Sequence, residues 1–140
     1  MLTADYILGL TDGEGSFCVF LRKPVKDTWN TRIECHYYVK MREDELPLLK
    51  KVKQFFGCGR ISFQREYRLN QRDNYRYQIS NLKELQKAVI PFFEQNHLQS
   101  LNRRRDFGIF KRIVLMVIEK RHKTREGLKK IILLKNKMHI

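Results

Sequence analysis

Residues 31–41 alternate without a break. Ile33, Cys35, Tyr37 and Val39 step along one side, and Arg32, Glu34, His36, Tyr38 and Lys40 along the other. Successive side chains of an extended strand point to opposite faces, so this period of two describes a strand with one buried and one polar face. An antiparallel sheet backed by helices on its apolar side accommodates such a strand, whereas a doubly covered parallel sheet does not.

The remaining segments supply the parts of that α+β arrangement. Residues 3–12 read as a short apolar helix with Thr3 as N-cap, and Ser16 to Lys23 as a strand with Phe17, Val19 and Leu21 on one face. Residues 24–30, with Pro24, Asp27 and Asn30, read as a loop. Asp44 to Phe56 carries Leu46, Leu49, Val52, Phe55 and Phe56 at helical steps, with acids at its start, Pro47 in its first turn and Gly57 as its stop. Arg60 to Tyr67 and Asn74 to Ser80 form a hairpin across 68–73. Asn81 caps a helix from Leu82 to about Phe93, a longer helix runs from about Asn102 to Arg121, and Thr124 starts a last one.

With 140 residues and 42% hydrophobic content, one domain over 1–140 with its own core is expected. No apolar run is long enough to span a membrane. The first residues lack a signal peptide's charged and apolar regions, so the protein is expected to act where it is made. Cys18, Cys35 and Cys58 are odd in number and without C-x-x-C spacing, which disfavours a disulfide framework or a zinc site. His36, His97, His122 and His139 show no metal spacing.

Lys and Arg total 29 against 15 acids, a net charge of +14 spread over the whole chain. Such an excess on one small domain marks a polyanion ligand. The polar strand faces offer Arg22, Arg32, His36, Tyr38, Arg60, Ser62, Gln64, Arg76 and Gln78. A β-ribbon fits the DNA major groove, where Arg matches guanine and Gln matches adenine. A merely solvated face accounts for the same residues. Asp12-Gly13-Glu14-Gly15 closes the first helix with two acids at its negative dipole end, an arrangement that a divalent cation offsets and that an ordinary acidic turn also explains.

Ile7-Leu8-Gly9-Leu10-Thr11-Asp12-Gly13-Glu14-Gly15, followed by Ser16-Phe17, resembles the signature of the LAGLIDADG homing endonucleases. The similarity continues through Val39 to Asp44, Phe55-Phe56-Gly57-Cys58-Gly59-Arg60-Ile61, Arg103 to Phe107 and His122 to Ile131. Ile7, Leu8, Thr11 and Glu14 depart from the leading Leu, the small Ala, an apolar residue and the final Asp of the signature.

The resemblance implies an α-β-β-α-β-β-α fold whose sheet forms a DNA-binding saddle, and, with one motif per chain, a homodimer. Ile7, Leu8, Gly9, Thr11 and Asp12 would then form the helix interface, with Asp12 mainly structural. Glu14, helped by the Gly13 carbonyl, would bind Mg²⁺ or another divalent cation. Lys40 and Arg103, with Arg105 next, would assist as basic residues. Met41 falls where a polar, water-organising residue is usual. The implied activity is site-specific hydrolysis of both strands of a long, pseudo-palindromic double-stranded DNA target. The alternative is an RNA-binding intron maturase or a non-catalytic regulator on the same fold. The implied setting is a mitochondrion, a chloroplast or a prokaryotic cytoplasm.

Overall fold

The computed structural model describes residues 1–23 and 30–140. The expected loop at 24–30, with Trp29 in it, lies outside the described residues except for Asn30. Helix α1 (Ala4–Glu14) leads directly into β1 (Gly15–Arg22), which pairs antiparallel with β2 (Arg32–Arg42). A 3-10 turn (Glu43–Glu45) precedes α2 (Leu46–Phe56). The hairpin β3 (Arg60–Gln64) and β4 (Asn74–Ile79) follows. The sheet order is β1-β2-β4-β3, antiparallel throughout. Next come α3 (Leu82–Glu84), a π turn (Leu85–Val89) and α4 (Ile90–Gln95). The chain ends with α5 (Leu101–Ile118) and α6 (Arg125–Lys135).

The alternation in β2 holds. Ile33, Cys35, Tyr37 and Val39 are buried beneath the helices, and Arg32 and Lys40 are exposed on the other face. Phe17 is the hub of the core, with ring centroids 5.3–5.5 Å from Tyr37, Phe93, Phe107 and Phe110. Burying side chains of this size contributes about 1.5–3 kcal/mol each. A second aromatic group, Phe55, Phe56 and Phe92, packs edge to face beside it.

Element ends differ from the sequence reading for local reasons. Helix α1 runs two residues beyond the expected end at 12, so Glu14 is its last residue. A Cβ on Gly15 would lie 2.7 Å from Thr11 Cγ2, so only glycine allows so abrupt a turn from helix to strand. Pro47 sits at the start of α2, after a 3-10 turn rather than inside a helix beginning at Asp44. The expected strand to Tyr67 stops at Gln64, because the Asp73 carboxylate captures the Glu66 amide at 2.7 Å. Pro91 has no amide to continue the ladder, and the helix from Leu82 widens into the π turn just before it. The long helix ends at Ile118 rather than Arg121, with Lys120 in the left-handed region (φ 60°).

Thr11, the polar departure in the apolar signature, is fully buried, and its hydroxyl lies 2.8 Å from the equally buried Tyr37 hydroxyl. Burial pushes the Tyr37 phenol well above its ordinary value, so this group enters the core neutral. Replacing Thr11 by Val leaves that hydroxyl without its partner and is expected to cost about 1–3 kcal/mol. The double variant Thr11→Val/Tyr37→Phe, which removes both polar groups, is expected to recover most of the loss in denaturant melts.

Candidate functional site

Helix α1 uses one side for its own domain. Ile7 and Thr11 are fully buried against the sheet, and Leu8 is half-buried against the same core. This corrects the expectation that Ile7 and Thr11 face a partner helix, because both are already enclosed. Asp12 is also engaged within the chain. Its carboxylate accepts the Gln99 amide at 3.1 Å and the Ser100 amide at 3.0 Å. The outward side carries Asp5, Tyr6, Gly9 and Gly13, all exposed, with Leu10 half-exposed. A Cβ on Gly9 or Gly13 would meet nothing within 4 Å, so this side is bare backbone open to close approach. Of the expected interface residues, Gly9 belongs to this side. Gly13 and Tyr6 share that side, which the motif, apolar on several sides, gives no phase to find.

Glu14 is exposed at the end of α1. Among the described residues its carboxylate has no ion pair or hydrogen bond within reach. The carbonyls of a helix's last turn lack intrahelical donors, and Gly13 places one of them there. An unpaired carboxylate beside a free carbonyl is the donor chemistry of a hard divalent cation. Among the described residues no cluster of three or more metal-ligating side chains exists.

Basic residues border this end. Gly15 pairs with Val39, so Lys40, the next residue and exposed, follows at the level of Glu14. Met41 lies on the inner face against the core, opposite Tyr75. Arg42 is held by Asp44 at 2.6 Å, which leaves Lys40 as the free cation of the three residues. Through Asp12, the last turn of α1 is fastened to the start of α5, where the Ser100 hydroxyl caps the Arg103 amide at 3.2 Å. The Arg103 Nε is shielded and unpartnered. Arg105 instead binds buried Asp106 at 3.2 Å and the Ile140 carbonyl at 2.9 Å, a structural role.

The register sets out the sheet's polar face. Ser16, Tyr38, Gln78 and Arg60 form one row; Lys40, Arg76 and Ser62 the next; Arg42, Asn74 and Gln64 a third. Toward the other end, Cys18 pairs with His36 and Arg22 with Arg32. All nine sequence-predicted nucleic-acid residues therefore share this face. They are not equally available. Gln78 is only 8% exposed, which corrects its reading as an open base-reading side chain. Glu34 takes Arg22 at 3.4 Å, Arg32 at 3.3 Å and His36 at 3.4 Å. Burial and the nearby Arg76 charge hold the His36 imidazole below its ordinary value, favouring its neutral form.

A two-layer α+β domain with a bare-glycine helix ending in a free acid, beside a concentrated basic strand face, is a nuclease-like arrangement. The sequence profile described as LAGLIDADG endonuclease matches residues 7–114, and the chain belongs to that family. It is 34% identical over 134 residues to the probable intron-encoded endonuclease 2 of Neurospora crassa, covering 94% of this chain and 28% of that protein. The chain thus spans less than a third of that relative. The homing endonuclease I-TnaI superposes with TM-score 0.85 at 29% identity, covering 99% of this chain and 89% of its own. I-SmaMI, bound to uncleaved DNA target in the presence of calcium ions, superposes with TM-score 0.89 at 29% identity, covering 99% of this chain and 45% of its own.

Removing the Asp12 side chain tests the link between α1 and α5. Asp12→Ala is expected to lower stability by about 1–3 kcal/mol. Hydrogen exchange should show the Gln99 and Ser100 amides losing protection before the sheet amides do.

Proposed function

We propose that this chain is one unit of a site-specific DNA endonuclease that hydrolyses a phosphodiester bond on each strand of a long, pseudo-palindromic target. The observation that carries this reading is Glu14: an exposed, unpaired carboxylate at the end of a helix whose outer face carries Gly9 and Gly13 between Asp5, Tyr6 and Leu10. Two such units pack through Gly9 and Gly13 of α1, either as two copies of this chain or as halves of a longer one. Solved relatives of both proportions support this, since one is matched over 89% of its length and another over 45%.

In the pair, two Glu14 carboxylates approach one another. Unscreened, they repel, which makes their meeting point a natural cation site. Glu14 and the Gly13 carbonyl would hold Mg²⁺ or a related divalent ion, which supplies Lewis-acid activation of water and of the phosphoryl oxygens when bound. Lys40 offers its ammonium to the negative charge that develops on the scissile phosphate. Arg103 contacts the backbone phosphate from the start of α5. The polar face of the sheet lies in the major groove and sets register and sequence preference.

The non-catalytic and maturase readings drew on Met41, an apolar residue where a polar one is usual. Met41 packs inward, and Lys40 occupies the outward position, so that objection loses its structural basis.

Glu14→Gln keeps the size and hydrogen-bonding reach of the side chain and removes its charge. It is expected to retain folding and DNA binding while losing at least a hundredfold in the Mg²⁺-dependent cleavage rate, on the order of the loss when a charge-stabilising group is removed. Plasmid cleavage beside a gel-shift assay measures both. Cleavage at the wild-type rate in that variant would remove Glu14 from the chemistry.

A further inference from the structure

Six cations project from the strands' outward face: Arg22, Arg32, Lys40, Arg42, Arg60 and Arg76. Arg22 and Arg32 share Glu34, and Arg42 is clamped by Asp44. Lys40, Arg60 and Arg76 have no carboxylate partner among the described residues. Lys40 and Arg76 also lie directly opposite one another, where like charges oppose pairing. On this face, the cations left without a carboxylate partner thus lie on β2, β4 and β3, near the row of Glu14.

Arg76 is the member with a fixed pose. Its guanidinium carbon sits 3.5 Å from the centroid of the Tyr38 ring, so the planar group lies on the aromatic face. Its Nε is shielded and without a partner. Its terminal nitrogens make no hydrogen bond among the described residues and are not among the shielded, unpartnered atoms, so they remain open to solvent. The group leans from its opposite number Lys40 toward Tyr38, two residues earlier on β2. His36, kept neutral, adds no competing charge, and its Nδ1 is a second shielded, unpartnered nitrogen in the same patch.

The place of Arg76 in the sheet narrows its ligand. β2 and β4 are the two central strands of the sheet. In a sheet seated in the major groove, central strands face the base edges and outer strands approach the phosphates. A guanidinium held flat, with its terminal N–H groups free, matches two acceptors side by side. In the major groove guanine O6 and N7 form that pair.

Resting on the proposed DNA-cleaving role, we propose that Arg76, held on Tyr38, is a preset guanine reader and a principal specificity-determining residue of this unit's half-site. Arg22 and Arg32, which share the single Glu34 carboxylate, contribute less.

The test is selection from a randomised double-stranded DNA library with the full chain, in parallel for wild type, Arg76→Lys, Tyr38→Leu and Tyr38→Phe, each checked for folding by thermal melts. Wild type is expected to enrich guanine at one position per half-site. Arg76→Lys keeps the charge but loses the planar fork. It should weaken that preference roughly tenfold to a hundredfold while other positions and the salt dependence of binding stay unchanged. Tyr38→Leu should weaken the same position, and Tyr38→Phe, which keeps the ring, should retain it. An unchanged preference in Arg76→Lys, or a loss of affinity equal across all sequences, overturns the inference by making Arg76 dispensable or a phosphate contact. A wild type that enriches a site without cutting it overturns the endonuclease reading alone. A wild type that enriches no sequence overturns both.

Discussion

The position of α1 depends on polar contacts made inside its own domain. The Thr11–Tyr37 hydroxyl pair ties the helix to the central strand from within the core, and the Asp12 carboxylate ties its last turn to the start of α5. The Thr11–Tyr37 pair is enclosed, where alternative partners are few, so it would be costly to leave unmade. With the inner side so occupied, the outer side is left to Asp5, Tyr6, Gly9 and Gly13, with Glu14 at the tip. The abrupt turn at Gly15 then passes this orientation straight into β1, so that helix tip and sheet face are set together.

Charge is arranged on the same plan. The net charge of +14 is what remains after every acid is counted, and the fold sets which arginines stand beside an acid and which do not. Glu34, Asp44, Glu66 and Glu43 each hold an arginine, and Arg68 holds the Glu66 carboxyl down to about 2. Exposed pairs of this kind add little stability. Their effect is on distribution, because neutralised arginines exert weaker fields than the free Lys40, Arg60 and Arg76. The acid suited to a cation and the unpaired basic groups suited to phosphate and base therefore meet at one end of the sheet.

Much of this was legible in the residues. The alternation of 31–41 settles which side of β2 is buried, and the row of polar strand residues follows from it. Glu14 stood out because two acids at a helix C-terminus need explaining, and the resemblance assigned it a role. The phase of α1 was not legible, since Ile7, Leu8 and Leu10 place apolar groups around much of its circumference. Nor was the inward turn of Asp12, which depends on amides 87 and 88 residues away. Gln78 looked available by alternation but is covered, and Arg105 looked available by its neighbours but is bound to Asp106 and the chain's end. The contacts that hold Asp12 and that tie Arg105 to Ile140 are distant in sequence, whereas period and composition report only near neighbours.

In the proposed pairing, two α1 helices meet through their glycine faces and bring two Glu14 side chains to shared cations. A crystal structure of the chain bound to a selected DNA target with Ca²⁺ is the decisive test. Gly9 and Gly13 are expected at the contact between units, and Glu14 from each unit ligating an ion beside the cleavable phosphates. A complex in which the α1 glycine faces stand in solvent, or in which the ions are held without Glu14, would contradict it.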